Sequence, residues 1–70
     1  MQFIPCDYSQ HQEVERKLMA MGFKPVSSDD IYDFSETDSG YQIYNDRTFM
    51  AVPNPSEDAT VISFNEFISK

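Results

Sequence analysis

The stretch SQHQEVERKLMAMGFKP at residues 9–25 carries the strongest structural signal in this chain. Val14, Leu18 and Met21 recur at helical spacing, so one side of the segment is apolar. Gly22 stands where a left-handed residue ends a helix, and Pro25 prevents the helix from resuming. The stretch therefore predicts an amphipathic helix over residues 10–21, which needs a sheet or a second helix to cover its apolar side.

Two local patterns predict how this helix begins and ends. Ser9 followed three residues later by Gln12 is the pattern of a capping box. Phe23, just beyond Gly22, is placed to fold back onto Leu18, which is the contact that accompanies a Schellman cap.

After the helix, the spacing of apolar residues changes from 3.6 to 2, which predicts strands in segments 31–34, 41–44 and 49–52. Turns at 35–40 and 45–47 join them, and Gly40 is expected to supply a positive φ. A short strand at 2–5 precedes the helix, and Pro5 suits the end of an edge strand. Residues 60–62 are predicted to be extended, and Ser63 with Glu66 opens a last helical turn.

Together these elements predict an α+β fold in a single domain, residues 1–70. The expected architecture is a small antiparallel meander of three to four strands. One amphipathic helix covers one face of the sheet, and a short C-terminal helix completes the fold.

Length and composition exclude several classes of protein. The chain has 70 residues, one cysteine and no tryptophan. A domain of this length buries only about 60% of its unfolded surface, which leaves no room for a deep cofactor cleft beside a complete core. No apolar run approaches the roughly 20 residues of a membrane span, and the start lacks the basic residues of a signal peptide. We expect a cytoplasmic protein with no cofactor, no bound metal and no enzymatic activity.

Cys6 and His11 are the one pair suited to nucleophilic catalysis, and Asp7 is close in sequence. No glycine-rich elbow or oxyanion donor loop accompanies them. A small buried Cys6 and a His11 at the border of the helix account for both residues. A Cys/His enzyme is therefore the least favoured function, and one cysteine with one histidine does not complete a zinc site.

Acidic residues are distributed unevenly along the chain. The formal net charge is −7, and residues 1–24 are neutral overall, so the whole excess lies in residues 25–70. Segment 29–38 holds five acids and no base. Such a surface repels phosphate and anionic lipid, so we expect no direct binding to nucleic acid or to membranes. The expected partner is another protein with a basic surface.

The geometry of an extended strand indicates how this acidic segment would bind a basic partner. Carboxylates two residues apart stand about 6.6 Å apart, comparable with two phosphate steps of about 3.4 Å each along one strand of duplex. An array of this kind mimics DNA and fits a groove built for nucleic acid. Tyrosines add the flat amphipathic area that protein interfaces favour. The predicted partner-binding residues are five acids and three tyrosines: Asp29, Asp30, Tyr32, Asp33, Glu36, Asp38, Tyr41 and Tyr44.

The closing stretch TVISFNEFISK at residues 60–70 passes from a short strand through a serine cap into Glu-Phe-Ile. It resembles the ends of small acidic proteins encoded by phages and prophages, of the inhibitor type that includes anti-CRISPR and anti-restriction proteins. The resemblance covers 11 of the 70 residues and assigns no functional residue. It implies a stoichiometric inhibitor, located in the host cytoplasm, that blocks a nucleic-acid-binding host protein.

A structural role is the main alternative to inhibition. In that hypothesis the chain is a homo-oligomer, such as a homodimer, or an accessory subunit. Copies would pair through the uncovered sheet face or through the edge at residues 2–5. The acids would then serve only to keep the domain soluble.

Overall fold

Five strands and two helices make up the protein, seen in a computed structural model that describes residues 1–26 and 34–69. In chain order the elements are β1 (Gln2–Pro5), α1 (His11–Ala20), β2 (Lys24–Pro25), β3 (Gly40–Ile43), β4 (Thr48–Val52), β5 (Thr60–Val61) and α2 (Phe64–Ile68). The strands form one sheet in the order β2-β4-β3-β1-β5. The predicted α+β class is confirmed.

The sheet is mixed, so the predicted antiparallel meander is only partly correct. β3 pairs antiparallel with β1 and with β4, as a meander requires. However, β5 lies parallel to β1, and β2 lies parallel to β4. β2 escapes sequence analysis because its two residues follow a helix stop signal and include Pro25, which has no N–H to donate to a ladder.

β1 is an inner strand, so the prediction of an edge at residues 2–5 is wrong. β3 pairs with one side of it, and β5 pairs with the other. The second pairing includes bonds from the Thr60 N–H to the Met1 carbonyl and from the Ile62 N–H to the Phe3 carbonyl. Pro5 is tolerated because it is the last residue of the strand.

Both helices lie on the same face of the sheet. α1 buries Val14 and Leu18 completely, and α2 buries Phe67. The Lys17 ammonium donates to the Ile68 carbonyl at 2.8 Å and joins the two helices. The core cluster contains side chains from both helices, three strands and two connecting segments: Ile4, Cys6, Val14, Leu18, Phe34, Tyr41, Ile43, Phe49 and Phe67.

The predicted N-terminal capping box of α1 is wrong, because the N-cap residue is Gln10 and not Ser9. Its hydroxyl donates to Asp7 Oδ1 at 2.6 Å, and the Gln10 N–H donates to the same oxygen at 3.0 Å. Gln10 is the N-cap residue and its side chain makes no capping bond. An ionised carboxylate is a stronger acceptor than a hydroxyl, so Asp7 organises this turn.

The C-terminal prediction for α1 is confirmed. Gly22 has a φ of 94°, and its N–H donates to the Met19 carbonyl at 3.0 Å. The Phe23 N–H donates to the Leu18 carbonyl at 3.0 Å, which completes a Schellman motif. At the other helix, Ser63 Oγ accepts from the Glu66 N–H at 3.1 Å, so the predicted serine cap of α2 is present.

Gly40 is required for a different reason than the one predicted. Its φ is not positive, and the residue of the β3–β4 turn with a positive φ is Arg47, at 69°. A Cβ at Gly40 would overlap the Ile4 carbonyl oxygen and would lie 2.8 Å from the Pro5 Cα. Glycine therefore permits the close approach of β1 and β3.

The face of the sheet opposite the helices is partly covered by the chain itself. The segment after β4 crosses it, and the Ser56 N–H donates to Gln42 Oε1 at 2.9 Å. Gln42 is only 5% exposed as a result. The sheet face expected to be open for self-association is thus closed near its centre. Of the predicted strand at 31–34, residues 31–33 lie outside the described residues, and Phe34 is a buried core residue outside any strand.

Candidate functional site

The eight predicted partner-binding residues fall into two groups. Four of them lie outside the described residues: Asp29, Asp30, Tyr32 and Asp33. The structure describes the other four and separates them into three environments: Glu36, Asp38, Tyr41 and Tyr44.

Glu36 and Asp38 belong to a tight turn. The Asp38 N–H donates to the Ser35 carbonyl at 3.0 Å, while Asp38 Oδ2 accepts from the Ser35 N–H at 2.9 Å. The Ser35 hydroxyl lies 3.2 Å from the same carboxylate oxygen. Glu36 is exposed at the tip. Within residues 1–26 and 34–69, neither carboxylate has a cationic partner.

Backbone bonds attach this turn to one end of the sheet. The Cys6 N–H donates to the Ser39 carbonyl at 3.0 Å, and the Ser39 N–H donates to the Val52 carbonyl at 2.9 Å. Asp7 follows Cys6 directly, so it leaves the sheet at the same end. Together Asp7, Glu36 and Asp38 form the acidic end of the molecule.

Asp7 is charged at neutral pH. The Ser9 hydroxyl bond is the main cause that holds the pKa of the Asp7 carboxyl below its ordinary value, and backbone bonds from Gln10 and Ser9 add to it. Asp7 therefore contributes its full negative charge to the acidic end in neutral solution.

Tyr41 does not belong to a surface, contrary to the prediction. It is 0% exposed, and its hydroxyl donates to Glu15 Oε2 at 3.1 Å. The hydroxyl oxygen also lies 3.4 Å from Nδ1 of His11. The Tyr41 ring contacts those of Phe34 and Phe49, with centroids 5.4 Å and 5.6 Å away. Tyr41 is buried because it faces the helices from the central strand of the sheet.

Tyr44 lies at the other end of β3 from the acidic end. It is half-buried, and its hydroxyl accepts from Gln42 Nε2 at 3.1 Å. Five residue steps separate Ser39 from Tyr44, which is about 16 Å at the 3.3 Å rise of a strand. The described acids and Tyr44 therefore do not form one contact patch.

Cys6 is a buried free thiol, and the contacts of His11 are with other side chains. Burial, and secondarily the Asp7 carboxylate, raises the pKa of the Cys6 thiol to about 12, so the thiol stays protonated at neutral pH. His11 instead stacks on Phe34, with ring centroids 5.0 Å apart and planes 6° apart.

A cavity of about 360 Å³, which was not predicted from the sequence, lies at the end of the sheet opposite the acidic end. Met1, Phe23 and Ile43 form its apolar wall. Gln2, Tyr44, Asn45 and Arg47 form its polar wall. The sequence contains one indication of this site. Arg47 is one of only two bases in residues 25–70, and it occupies a turn where glycine or asparagine is usual.

Two further findings concern the described residues alone. No group of three or more His, Cys, Asp or Glu side chains in ranges 1–26 and 34–69 is placed to hold a metal ion. Neither of the helices there has the length and apolar character needed to cross a membrane.

Comparison with protein-family models, with curated proteins and with solved structures finds no significant match for this chain. Fold and charge define a small acidic α+β protein, and any more specific assignment depends on its own residues.

Proposed function

We propose that this protein acts by binding another protein through a basic surface on that partner, with the acidic end as the contact region. The observation that carries the proposal is the unpaired state of Glu36 and Asp38, which are held on a hydrogen-bonded turn without a cationic neighbour in the described chain. Carboxylates that need no internal counterion are available to an external one.

The overall charge also favours a basic partner. A net charge of −7 on 70 residues produces a field that steers basic partners toward the molecule and repels acidic ones. When Glu36 or Asp38 pairs with a cation of the partner, no ion pair within the described residues is broken. Binding a basic partner therefore costs little reorganisation on this side of the interface.

The contact region extends in sequence into the segment that holds Asp29, Asp30 and Asp33. Phe34 follows those acids directly, is only 4% exposed and stacks on His11. In sequence, these acids are thus followed by a buried aromatic residue and then by the hydrogen-bonded turn at 35–38. In the finer form of the proposal, the partner is a nucleic-acid-handling protein and the acids occupy its phosphate-binding groove. The resemblance of the closing stretch to phage-encoded inhibitors favours that form.

The experiment compares two variants that lose the same charge at different places. The first carries D29N, D30N, D33N and E36Q, and the second carries E13Q, E57Q, D58N and E66Q. Asp38 is kept in both because its carboxylate closes the turn. Tagged wild-type protein is used to capture basic proteins from an extract, and the affinity of a captured protein is then measured with each variant.

Four ion pairs with the partner, at about 0.3–1 kcal/mol each, amount to about 1–4 kcal/mol, so the first variant should bind roughly tenfold or more weakly. The second variant should stay within a few-fold of wild type. Raising salt from about 0.1 M to 1 M shortens the Debye length from about 10 Å to 3 Å and should release the partner. Duplex DNA should compete if the partner's groove binds nucleic acid.

Equal binding by the two variants, or capture that salt does not weaken, would refute electrostatic contact at this surface. Failure of DNA to compete would remove only the finer form.

A further inference from the structure

We propose that the cavity at the end of the sheet opposite the acidic end binds a small organic anion, a carboxylate attached to an apolar body, with Arg47 as the residue that recognises the charge. The site is independent of the proposed contact with a basic protein, because the two regions lie at opposite ends of β3.

The size and lining of the cavity suit such a ligand. Its volume of about 360 Å³ lies within the range of about 300–1,000 Å³ typical of small-molecule sites. Phe23 and Ile43 offer apolar area, while Tyr44, Asn45 and Arg47 offer hydrogen-bond donors. No carboxylate of the described residues lines it. The chain as a whole has a net charge of −7, which disfavours anions. A concave site with a guanidinium and no acid is the exception, because it favours an anion locally.

Arg47 is held in place by the fold. One Nη2–H donates to the Met21 carbonyl at 2.9 Å, beside the C-terminal end of α1. The guanidinium carbon lies 5.0 Å from the centroid of the Phe23 ring. Since a guanidinium has five N–H donors, the bond to Met21 leaves most of them for a ligand. A side chain already ordered by two contacts loses little entropy on binding.

The backbone at Arg47 gives an independent indication. A φ of 69° is unfavourable for a residue with a Cβ, and glycine or asparagine would relieve it. The turn itself is closed by the bond from the Tyr44 N–H to the Thr48 carbonyl at 2.8 Å, which needs no arginine side chain. Strained backbone of this kind is typical of residues whose side chains serve a site.

The neighbouring polar groups retain donors that have no acceptor among the described residues. The Tyr44 hydroxyl accepts a bond from Gln42, so its own proton is available. Asn45 Oδ1 accepts from the Met1 nitrogen at 3.3 Å, which leaves the Asn45 amide NH₂ group to donate. Arg47, Tyr44 and Asn45 together can satisfy both oxygens of a carboxylate, while the apolar body rests against Phe23 and Ile43.

The test is a titration of ¹⁵N-labelled protein, followed by NMR, with 4-phenylbutyrate and separately with the uncharged 4-phenylbutyramide. The carboxylate should cause saturable shifts at the backbone amides of Ile43, Tyr44, Asn45 and Arg47. The amide should bind at least about tenfold more weakly, because it cannot form charge-assisted bonds with the guanidinium.

Two variants that each lose one positive charge locate the site. Arg47→Gln should weaken binding of 4-phenylbutyrate about tenfold or more, and Arg16→Gln, at an exposed position on α1, should leave it unchanged. If Arg47→Gln does not fold, the two probes on the wild-type protein still decide the question.

Equal affinity for the two probes, shifts spread over the surface, or no saturation by about 10 mM would overturn the proposal. Neither Arg47→Gln nor the probes should affect capture of a basic partner, so the two proposals fail separately.

Discussion

Replacing Gly40 by alanine should destabilise the protein more than the same replacement at Gly22, the other glycine of the chain. Gly40 lies directly opposite Pro5 in β1 and Val52 in β4. A Cβ there would overlap the Ile4 carbonyl oxygen and would lie 2.8 Å from both the Phe3 Cζ and the Pro5 Cα. Two of these three atoms belong to the backbone, so rotating a side chain does not relieve the overlap. β1 and β3 would have to separate.

The size of the effect follows from that separation. Overpacking that side chains can absorb costs about 1–3 kcal/mol, and each weakened ladder bond adds about 1 kcal/mol. We expect a loss of more than about 3 kcal/mol. At about 0.05–0.15 kcal/mol per residue, a chain of 70 residues has about 4–10 kcal/mol in total. Gly40→Ala should therefore remove a large share of the stability.

Gly22→Ala is the matched control, because its cost has a different origin. The φ of 94° is unfavourable to alanine, but the nearest atom to a Cβ is the end of the Arg47 side chain at 3.4 Å. We expect a loss of about 1–2 kcal/mol from backbone strain alone.

Urea unfolding followed by far-UV circular dichroism measures both variants against wild type. A Gly40→Ala protein within about 1 kcal/mol of wild type, or a larger loss for Gly22→Ala, would contradict a backbone overlap at Gly40.

Four further predictions concern single side chains, and three of them use the same unfolding assay. Tyr41→Phe should cost about 1–2 kcal/mol, because the buried bond to Glu15 is lost; an unchanged midpoint would contradict this. For Cys6, the folded pKa of about 12 exceeds the ordinary 9.0, so the unfolded chain loses its proton first. The unfolding free energy should therefore fall as the pH rises from about 9 to 12, by at most about 1.4 kcal/mol per pH unit from this group, and Cys6→Ala should flatten that dependence. Native Cys6 should also react with iodoacetamide much more slowly than in urea. Ser63→Ala should cost about 1 kcal/mol through loss of the cap on the Glu66 N–H, and a cost near zero would mean that α2 is held by Phe67 alone.

Local signals predicted the helices well. α1 extends over His11–Ala20, within one residue of the predicted bounds at each end, because its apolar spacing and Gly22 act within a few residues of chain. The serine cap of α2 was predictable for the same reason. The capping box at Ser9 was not, because a pattern of residue types does not show that the Asp7 carboxylate accepts from both the Ser9 hydroxyl and the Gln10 N–H.

The candidate site was predictable only as a charge pattern. The acids at 36 and 38 are on an exposed turn, as their residue types suggest, and their lack of counterions among the described residues became visible only in the structure. The position of Arg47 beside a cavity also became visible only in the structure, because the residues that line the cavity are distant in sequence.

By itself, the sequence determined the α+β class, the position of α1 and the location of the negative charge, because each depends on residue types over short spans. The tertiary structure decided which strands are inner, which of them run parallel and that Tyr41 is buried. Alternation of apolar and polar residues along a strand distinguishes its two faces. It does not predict which face or edge another segment of the chain will cover. Tyr41 is buried and β1 is internal because residues from distant parts of the chain pack against them.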